Sequence, residues 1–292
     1  MTVSLGIGLA FLAMLFWGFG DFLIQKSARK VGDWETLFFI TFFGAIVLAP
    51  FVWKDLPDLL NGDHKALLVI LVASVSLLIA AIIDFEALKK GKLSIVEPIW
   101  SLEVPLAAFL AFFLISEKIS FYQIIFIAIL LICLMMVSFR ERSLKISFFL
   151  EKGAILAVLG AILMGSANFF MGWGGRASDP LMVNFCADIF MMVASIIYIA
   201  AQRKVNCLFC DLKANYKFLL PMALLDNGAW IAFVLAMTLA PIAVATALSE
   251  SYIIIAVLLG LFINKEKLQF HQKIGLVGAV VAAIILSMIT SF

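Results

Sequence analysis

Long apolar runs separated by short polar segments dominate the chain. Each run is about 20 residues long, which at a helical rise of 1.5 Å per residue matches a hydrocarbon core of roughly 30 Å. The pattern therefore predicts an all-α integral membrane protein with ten transmembrane helices. The predicted spans are 3–25, 34–53, 66–88, 93–115, 121–139, 153–175, 180–201, 216–239, 242–263 and 272–291.

Composition supports the same class. Hydrophobic residues make up 65% of the 292 residues and charged residues 14%, whereas the charged fraction of soluble domains is about 25%. The net charge of +2 is too small to favour nucleic acid as a partner. No basic residue precedes Lys26, so the first apolar run is predicted to be a retained helix and not a cleaved signal peptide.

The second half of the chain repeats the first. A shift of 149 residues aligns 117–123 with 266–272, and a shift of 147 aligns Gly18 with Gly165. We therefore predict two five-helix repeats with a boundary between residues 145 and 146, the first covering 1–145 and the second 146–292. Because five crossings is an odd number, the second repeat must be inverted in the membrane. Substrate sites of inverted repeats lie near the midplane.

Basic residues are concentrated in one set of loops. Of the 21 Lys and Arg residues, 17 fall in these loops. The positive-inside rule makes the loops cytoplasmic, which places both termini outside. We predict a multi-pass protein of the cell (inner) membrane. The basic loops are 25–33, 89–92, 139–152, 202–217 and 264–273.

Seven acidic residues fall within the predicted spans, whereas every Lys and Arg lies in or beside a loop. A charged side chain at the membrane centre costs about 2.5–3.5 kcal/mol on insertion scales, so the acids are expected to face the protein interior or a wet cavity. Without basic partners, they need protons, water or a bound cation such as an organic cation, Na⁺ or H⁺. The seven acids are Asp21, Asp84, Glu97, Glu103, Asp188, Asp226 and Glu250.

Helical spacing indicates which side chains could face one ligand. Glu97, Trp100 and Ser101 share a face of the fourth span, and Glu103 points about 120° away from Glu97. Pro105 lies in the same span and is expected to bend it. A kinked span that carries acids is typical of a membrane helix that lines a cavity.

Acids and tryptophans also pair in other spans. Asp226 and Trp230 are four residues apart in the eighth span, and Trp17 has the same spacing from Asp21 in the first. An aromatic ring one helical turn from a carboxylate can hold an ammonium group between them. Asn168 occupies the position of Asp21 in the second repeat.

The repeated pattern resembles a known family. The string A-L-x-x-G-x-x-S from Ala87, a proline-containing span and then E-K-x-S-x-x-Q from Glu117, within two copies and ten helices, is similar to the EamA-type members of the drug/metabolite transporter superfamily. The resemblance covers essentially the whole chain and implies secondary transport of a small metabolite. One departure is that Tyr252 and Ile254 stand where the first copy has Glu103 and Pro105, so we do not expect a strictly symmetric site.

We predict a secondary active transporter that works by alternating access. Its expected substrate is a small organic solute, and a cationic or zwitterionic amine or amino acid is favoured. Proton coupling is a further hypothesis, in which Glu97, Glu103 and Glu250 bind the coupling ion, H⁺ or Na⁺. No cofactor and no metal site is predicted, and the chain is expected to be a monomer or homodimer in the lipid bilayer. The predicted substrate-binding residues are Glu97, Trp100, Ser101, Glu103, Glu250, Tyr252, Trp17, Asp226, Trp230 and Asn168.

Other functions stay open at this point. The main alternative is an exporter or facilitator of a neutral solute such as a nucleoside or sugar derivative, in which the acids serve coupling alone. A membrane-embedded enzyme is a remote alternative, because the spans offer scattered carboxylates and no cluster of nucleophile, base and metal ligands. A passive channel would need a continuous polar stripe, which these spans lack.

Overall fold

The computed structural model describes residues 2–62, 64–90, 99–138, 152–263 and 268–291. These residues form helices, and none of them lies in a strand. The helices of the first repeat are α1 (Thr2–Val31), α2 (Asp33–Val52), α3 (Leu56–Asn61), α4 (His64–Lys90), α5 (Glu103–Ile115) and α6 (Phe121–Ser138). Those of the second are α7 (Lys152–Ala177), α8 (Pro180–Ala201), α9 (Val205–Leu239), α10 (Ile242–Ser249), α11 (Tyr252–Ile263) and α12 (Phe270–Ser291).

The helices confirm the predicted fold class. Nine stretches of the described residues are long and apolar enough to cross a membrane, and α5 is a shorter apolar helix within the fourth predicted span. The helix α9 begins at Val205 and not at residue 216, because the polar segment that precedes the apolar run continues the same helix. The predicted boundary between the repeats lies within 139–151, outside the described residues.

The fourth and ninth spans are broken helices. In the fourth, the helix at Ile99 and Trp100 is interrupted by a turn before α5 begins. In the ninth, a turn separates α10 from α11. The turns occupy residues 101–102 and 250–251, which are equivalent under the 149-residue shift that aligns the repeats.

Proline accounts for only one of these breaks. Pro105 has no N–H to donate to the Ser101 carbonyl, and the Val104 N–H contacts that carbonyl at 3.4 Å. In the second repeat Ile254 takes the place of the proline, and its N–H donates to the Ser251 carbonyl at 2.9 Å. The break is therefore a property of the repeated fold and does not depend on proline.

The packing of the helices follows a two-fold pattern. Helix α1 packs against α9, and its counterpart α7 packs against α4. Helix α2 packs against its own counterpart α8, and α6 against α12. Exchanging the two repeats leaves this pattern unchanged, as expected of two inverted copies of one unit. The two broken spans meet in the interior, where α10 contacts α5 and every residue of α10 is buried.

Two equivalent glutamines fasten α6 to α12. The Gln123 side chain accepts a hydrogen bond from the Ser120 N–H at 2.8 Å and donates to Thr290 Oγ1 at 3.0 Å. Gln272 accepts from the Gln269 N–H at 3.0 Å and donates to the Val137 carbonyl at 2.9 Å. Each glutamine thus caps the start of its own helix and bonds to the opposite helix, which gives the repeated glutamine of the E-K-x-x-F-x-Q segment a structural role.

We predict that Gln272→Ala destabilises the protein by about 1–2 kcal/mol, because it removes a helix cap and leaves the buried Val137 carbonyl without its donor. The measurement is the melting temperature of the purified protein in detergent. Gln202→Ala is the control, since Gln202 is exposed, and its melting temperature should equal that of the wild type. Equal melting temperatures for both variants would contradict the assigned role.

Candidate functional site

The two broken spans bring two acids together. Glu103 is the first residue of α5, and Glu250 lies in the turn between α10 and α11. Their carboxyl groups form a hydrogen bond with each other, although the residues are far apart in sequence. A carboxylate only accepts hydrogen bonds, so this contact needs a proton on one of the two groups. Glu103 is buried, with 5% of its surface exposed.

Asn168 of α7 is a third polar side chain at the acid pair. Its Nδ2 donates to Glu103 Oε2 at 3.4 Å, and its side chain is 1% exposed. Asp84 of α4 also interacts electrostatically with Glu103. The ion pairs Arg176–Glu117 and Lys204–Glu35 of the described residues do not involve Glu103 or Glu250. Among the described residues, no basic side chain is therefore seen to form an ion pair with Glu103 or Glu250.

A small cavity lies at the acid pair. Its volume is about 10 Å³, room for about one water molecule. The indole N–H of Trp100 is buried and has no hydrogen-bond partner among the described residues. An organic solute would need the cavity to widen. The cavity is lined by Trp100, Ser101, Glu103, Val104, Leu131, Leu134, Glu250, Tyr252 and Ile253.

Three other predicted site residues form a separate aromatic cluster. The Trp17 indole donates a hydrogen bond to the Asp226 carboxylate. The Trp17 ring packs edge-to-face against Trp230, with centroids 5.3 Å apart, and against Phe233 at 5.2 Å. None of these residues lines the cavity at Glu103 and Glu250. The structure thus divides the predicted residues into two groups.

Two predicted acids are not described, and two hydroxyl groups of α10 bond to the backbone. Glu97 and the side chain of Asp21 lie outside the described residues. The Thr246 hydroxyl donates to the carbonyl of Ile242 at 2.8 Å within its own helix. The Ser249 hydroxyl donates to the Ala10 carbonyl at 3.2 Å and so fastens α10 to α1. These two hydroxyls hold α10 in place and are not directed at the cavity.

Glycines on α7 allow the close approach that places Glu103 and Trp100. A Cβ on Gly165 would lie 2.6 Å from the Glu103 carbonyl oxygen, and one on Gly160 would lie 2.7 Å from the Trp100 ring. In the other repeat, a Cβ on Gly18 would meet the Ile255 side chain at 2.5 Å. Gly165 and Gly18, which are equivalent in the two repeats, thus each allow close contact with a broken span.

Arg176 was not predicted as a site residue. Its guanidinium donates to the Met237 and Ala240 carbonyls at 2.7 and 2.9 Å, and to Glu117 Oε2 at 2.6 Å. It therefore binds the end of α9 to the loop between α5 and α6. The only sequence signal was that the 147-residue shift aligns Arg176 with Arg29, since no local spacing links residues so far apart.

The helices, the inverted repeats and the interior acids define a polytopic membrane protein built from two copies of one unit. The model of the EamA-like transporter family matches residues 4–139 and 151–288, and the chain belongs to this family. It is thus a membrane transporter of small solutes, as the resemblance implied.

Solved structures agree on the fold. One crystal structure superposes with a TM-score of 0.74 at 14% sequence identity, covering 98% of this chain and 97% of the other. At this identity the likeness concerns the fold alone. No curated protein matches the sequence.

We predict that Gly165→Ala lowers the melting temperature of the purified protein, because the added methyl group would collide with backbone at Glu103. Overpacking of this kind costs about 1–3 kcal/mol. Gly8→Ala is the matched control on α1, where a Cβ meets nothing within 4 Å. Alanine is favoured over glycine in a helix by about 0.5–1 kcal/mol, so the control should be neutral or stabilised. A Gly165→Ala protein as stable as the control would refute the close contact.

Proposed function

We propose that the protein is a secondary active transporter of a small cationic or zwitterionic amine, which it binds at Glu103 and Glu250. The observation that supports this most directly is the pair of hydrogen-bonded acids, Glu103 buried and Glu250 half-buried, without a described basic partner. An ammonium group supplies three hydrogen-bond donors and a positive charge, and the acid pair lacks a described partner that provides them. The Trp100 ring, whose N–H has no partner among the described side chains and backbone, offers a further contact beside the acids.

Binding of an ammonium group would displace the proton that the pair shares, because two carboxylates facing one cation no longer need it. The solute and a proton would thus compete for one site. Competition of this kind couples the two movements when the site opens to one side at a time. We propose proton exchange at Glu103 and Glu250 on this ground, with Asn168 holding Glu103 in place.

The Arg176 contacts and a second cavity indicate which side of the protein is closed. The Arg176 contacts join α7, α9 and the α5–α6 loop on the side opposite the basic loops. On the basic side, a larger cavity of about 200 Å³ lies between the start of α2 and the end of α8. With the basic loops proposed as cytoplasmic in the cell membrane, the conformation is closed to the outside, and Arg176 forms the closure.

Thermal-shift measurements on the purified full-length protein test the solute class. Screened against amines, amino acids and nucleosides, the protein should melt at a higher temperature with the amines, since a ligand that binds only the folded form stabilises it. Glu103→Gln and Glu250→Gln should weaken amine binding by about 10- to 100-fold, the range for losing a hydrogen bond to a charged group.

Asp58→Asn, which neutralises an exposed acid on α3, is the control and should bind the amines as the wild type does. A shift by nucleosides alone that persists in both Gln variants would favour the neutral-solute alternative.

Uptake of a bound amine into proteoliposomes should respond to a pH gradient, and equal rates with and without the gradient would exclude proton coupling.

A second prediction concerns the closure. Arg176→Gln removes the ion pair with Glu117 and should increase the population open to the outside by about tenfold, because the partly exposed contacts together contribute on the order of 1–2 kcal/mol. The measurement is the labelling rate of Ser101→Cys by a membrane-impermeant thiol reagent added outside the cell. Lys118→Gln, an exposed basic neighbour, is the control. Equal labelling in both backgrounds would show that Arg176 closes nothing.

A further inference from the structure

A second pair of acids lies away from the Glu103–Glu250 cavity. Asp188 is on α8 and Asp226 on α9, and the two carboxyl groups are close enough to interact electrostatically. Both helices pack against α2, which presents Gly44 to them. The first repeat has no such pair, since the 147-residue shift places Thr41 and Ile79 at the equivalent positions.

The orientation of Asn227 is fixed by its own hydrogen bonds. Its Nδ2 donates to the Ile40 carbonyl at 3.0 Å and to the Ala223 carbonyl at 2.8 Å. Rotating the amide by half a turn would set its oxygen against these two carbonyls, so the donors must point this way. The Asn227 side chain is 7% exposed, and its Oδ1 receives no hydrogen bond from the described residues.

Gly44 shows where that oxygen points. A Cβ on Gly44 would overlap both Asn227 Oδ1 and Asp188 Oδ2, so the two oxygens converge on one position. Asp188 is half-buried, and both an amide oxygen and a carboxylate oxygen accept hydrogen bonds, so the two acceptors repel each other where they face one another. A hydrogen on Asp188 turns this contact into a hydrogen bond from the carboxylic acid to the amide.

Asp226 accepts a hydrogen bond from Trp17, and the described contacts include none between Asp226 and Asn227 Oδ1. Among the helices packed against α8, the acids Asp33 and Glu35 of α2 lie in its first turn, far from Gly44. Asp84 of α4 faces Glu103. The ion pairs of the described residues lie elsewhere, and no group of three or more His, Cys, Asp or Glu side chains among them could hold a metal ion.

We propose that Asp188 is a proton-binding site of the transporter, distinct from the acid pair at the solute cavity, in which the protonated carboxyl donates to Asn227 Oδ1 and Asp226 lies beside it as the charged neighbour. The site joins α2 of the first repeat to α8 and α9 of the second. Movement between the repeats would withdraw the Ile40 carbonyl of α2, which holds the Asn227 amide in this orientation, and so weaken the hydrogen bond from Asp188 and let the proton leave. Its role in coupling rests on the proposed function, whereas its existence does not.

Infrared spectroscopy of the purified full-length protein tests the site without a solute. In Na⁺-free buffer, the carboxylic-acid C=O stretch should include a component from Asp188 that shifts in D₂O and disappears in Asp188→Asn. This variant should fold, because the amide N–H of the new side chain can donate to Asn227 as the proton does. Asp58→Asn on the surface should leave the band intact.

Two further variants separate this proposal from that for the solute site. The double variant Glu103→Gln, Glu250→Gln should lose the band of the acid pair and keep that of Asp188, whether or not amines bind. Gly44→Ala should shift the Asp188 band, since its methyl group occupies the meeting point of the two oxygens. An unchanged spectrum in Asp188→Asn would overturn the proposal. A Na⁺-induced rise in melting temperature that Asp188→Asn abolishes would overturn it in favour of a metal ion.

Discussion

The hydrogen bond between Glu103 and Glu250 is the contact on which the interior of the protein depends. Each acid reaches it only because its transmembrane span is interrupted, and each interruption leaves backbone groups that need partners. The fold satisfies them locally: the Ser251 hydroxyl, for example, donates to the Ala247 carbonyl at 2.8 Å. Two polar turns thus persist inside an apolar bundle because Glu103 bonds to Glu250 and Asn168, and Ser251 bonds to the backbone of the preceding helix.

Glycine makes this arrangement possible. The broken span of the first repeat rests on α7 at Gly160 and Gly165, and that of the second rests on α1 at Gly18. Without hydrophobic attraction between helices in lipid, close packing supplies much of the association energy, and small residues permit it. The positions of the acids are therefore determined by residues that carry no chemistry themselves.

Much of the fold could be predicted from the sequence, because apolar runs of membrane length and a repeat at 147–149 residues are strong signals. The contact between Glu103 and Glu250 could have been predicted, since the repeat placed both acids in equivalent spans. Other features depend on contacts between distant segments. Nothing in the local pattern links Arg176 to the end of α9 or directs Asn227 Oδ1 at Asp188. Of the tryptophans expected at one cavity, Trp17 and Trp230 form a separate cluster beside Asp226.

The registers of the two broken spans are alike, but the acids within them are not. The turn of the first repeat has Ser101 where the second has Glu250, and α5 begins with Glu103 where α11 begins with Tyr252. In an inverted-repeat protein, exchanging the conformations of the two halves converts the inward-facing form into the outward-facing one. Under the proposed alternating access, unlike residues at the exchanged positions would give the two forms different free energies, so the resting protein would favour one side of the membrane even when no gradient is present.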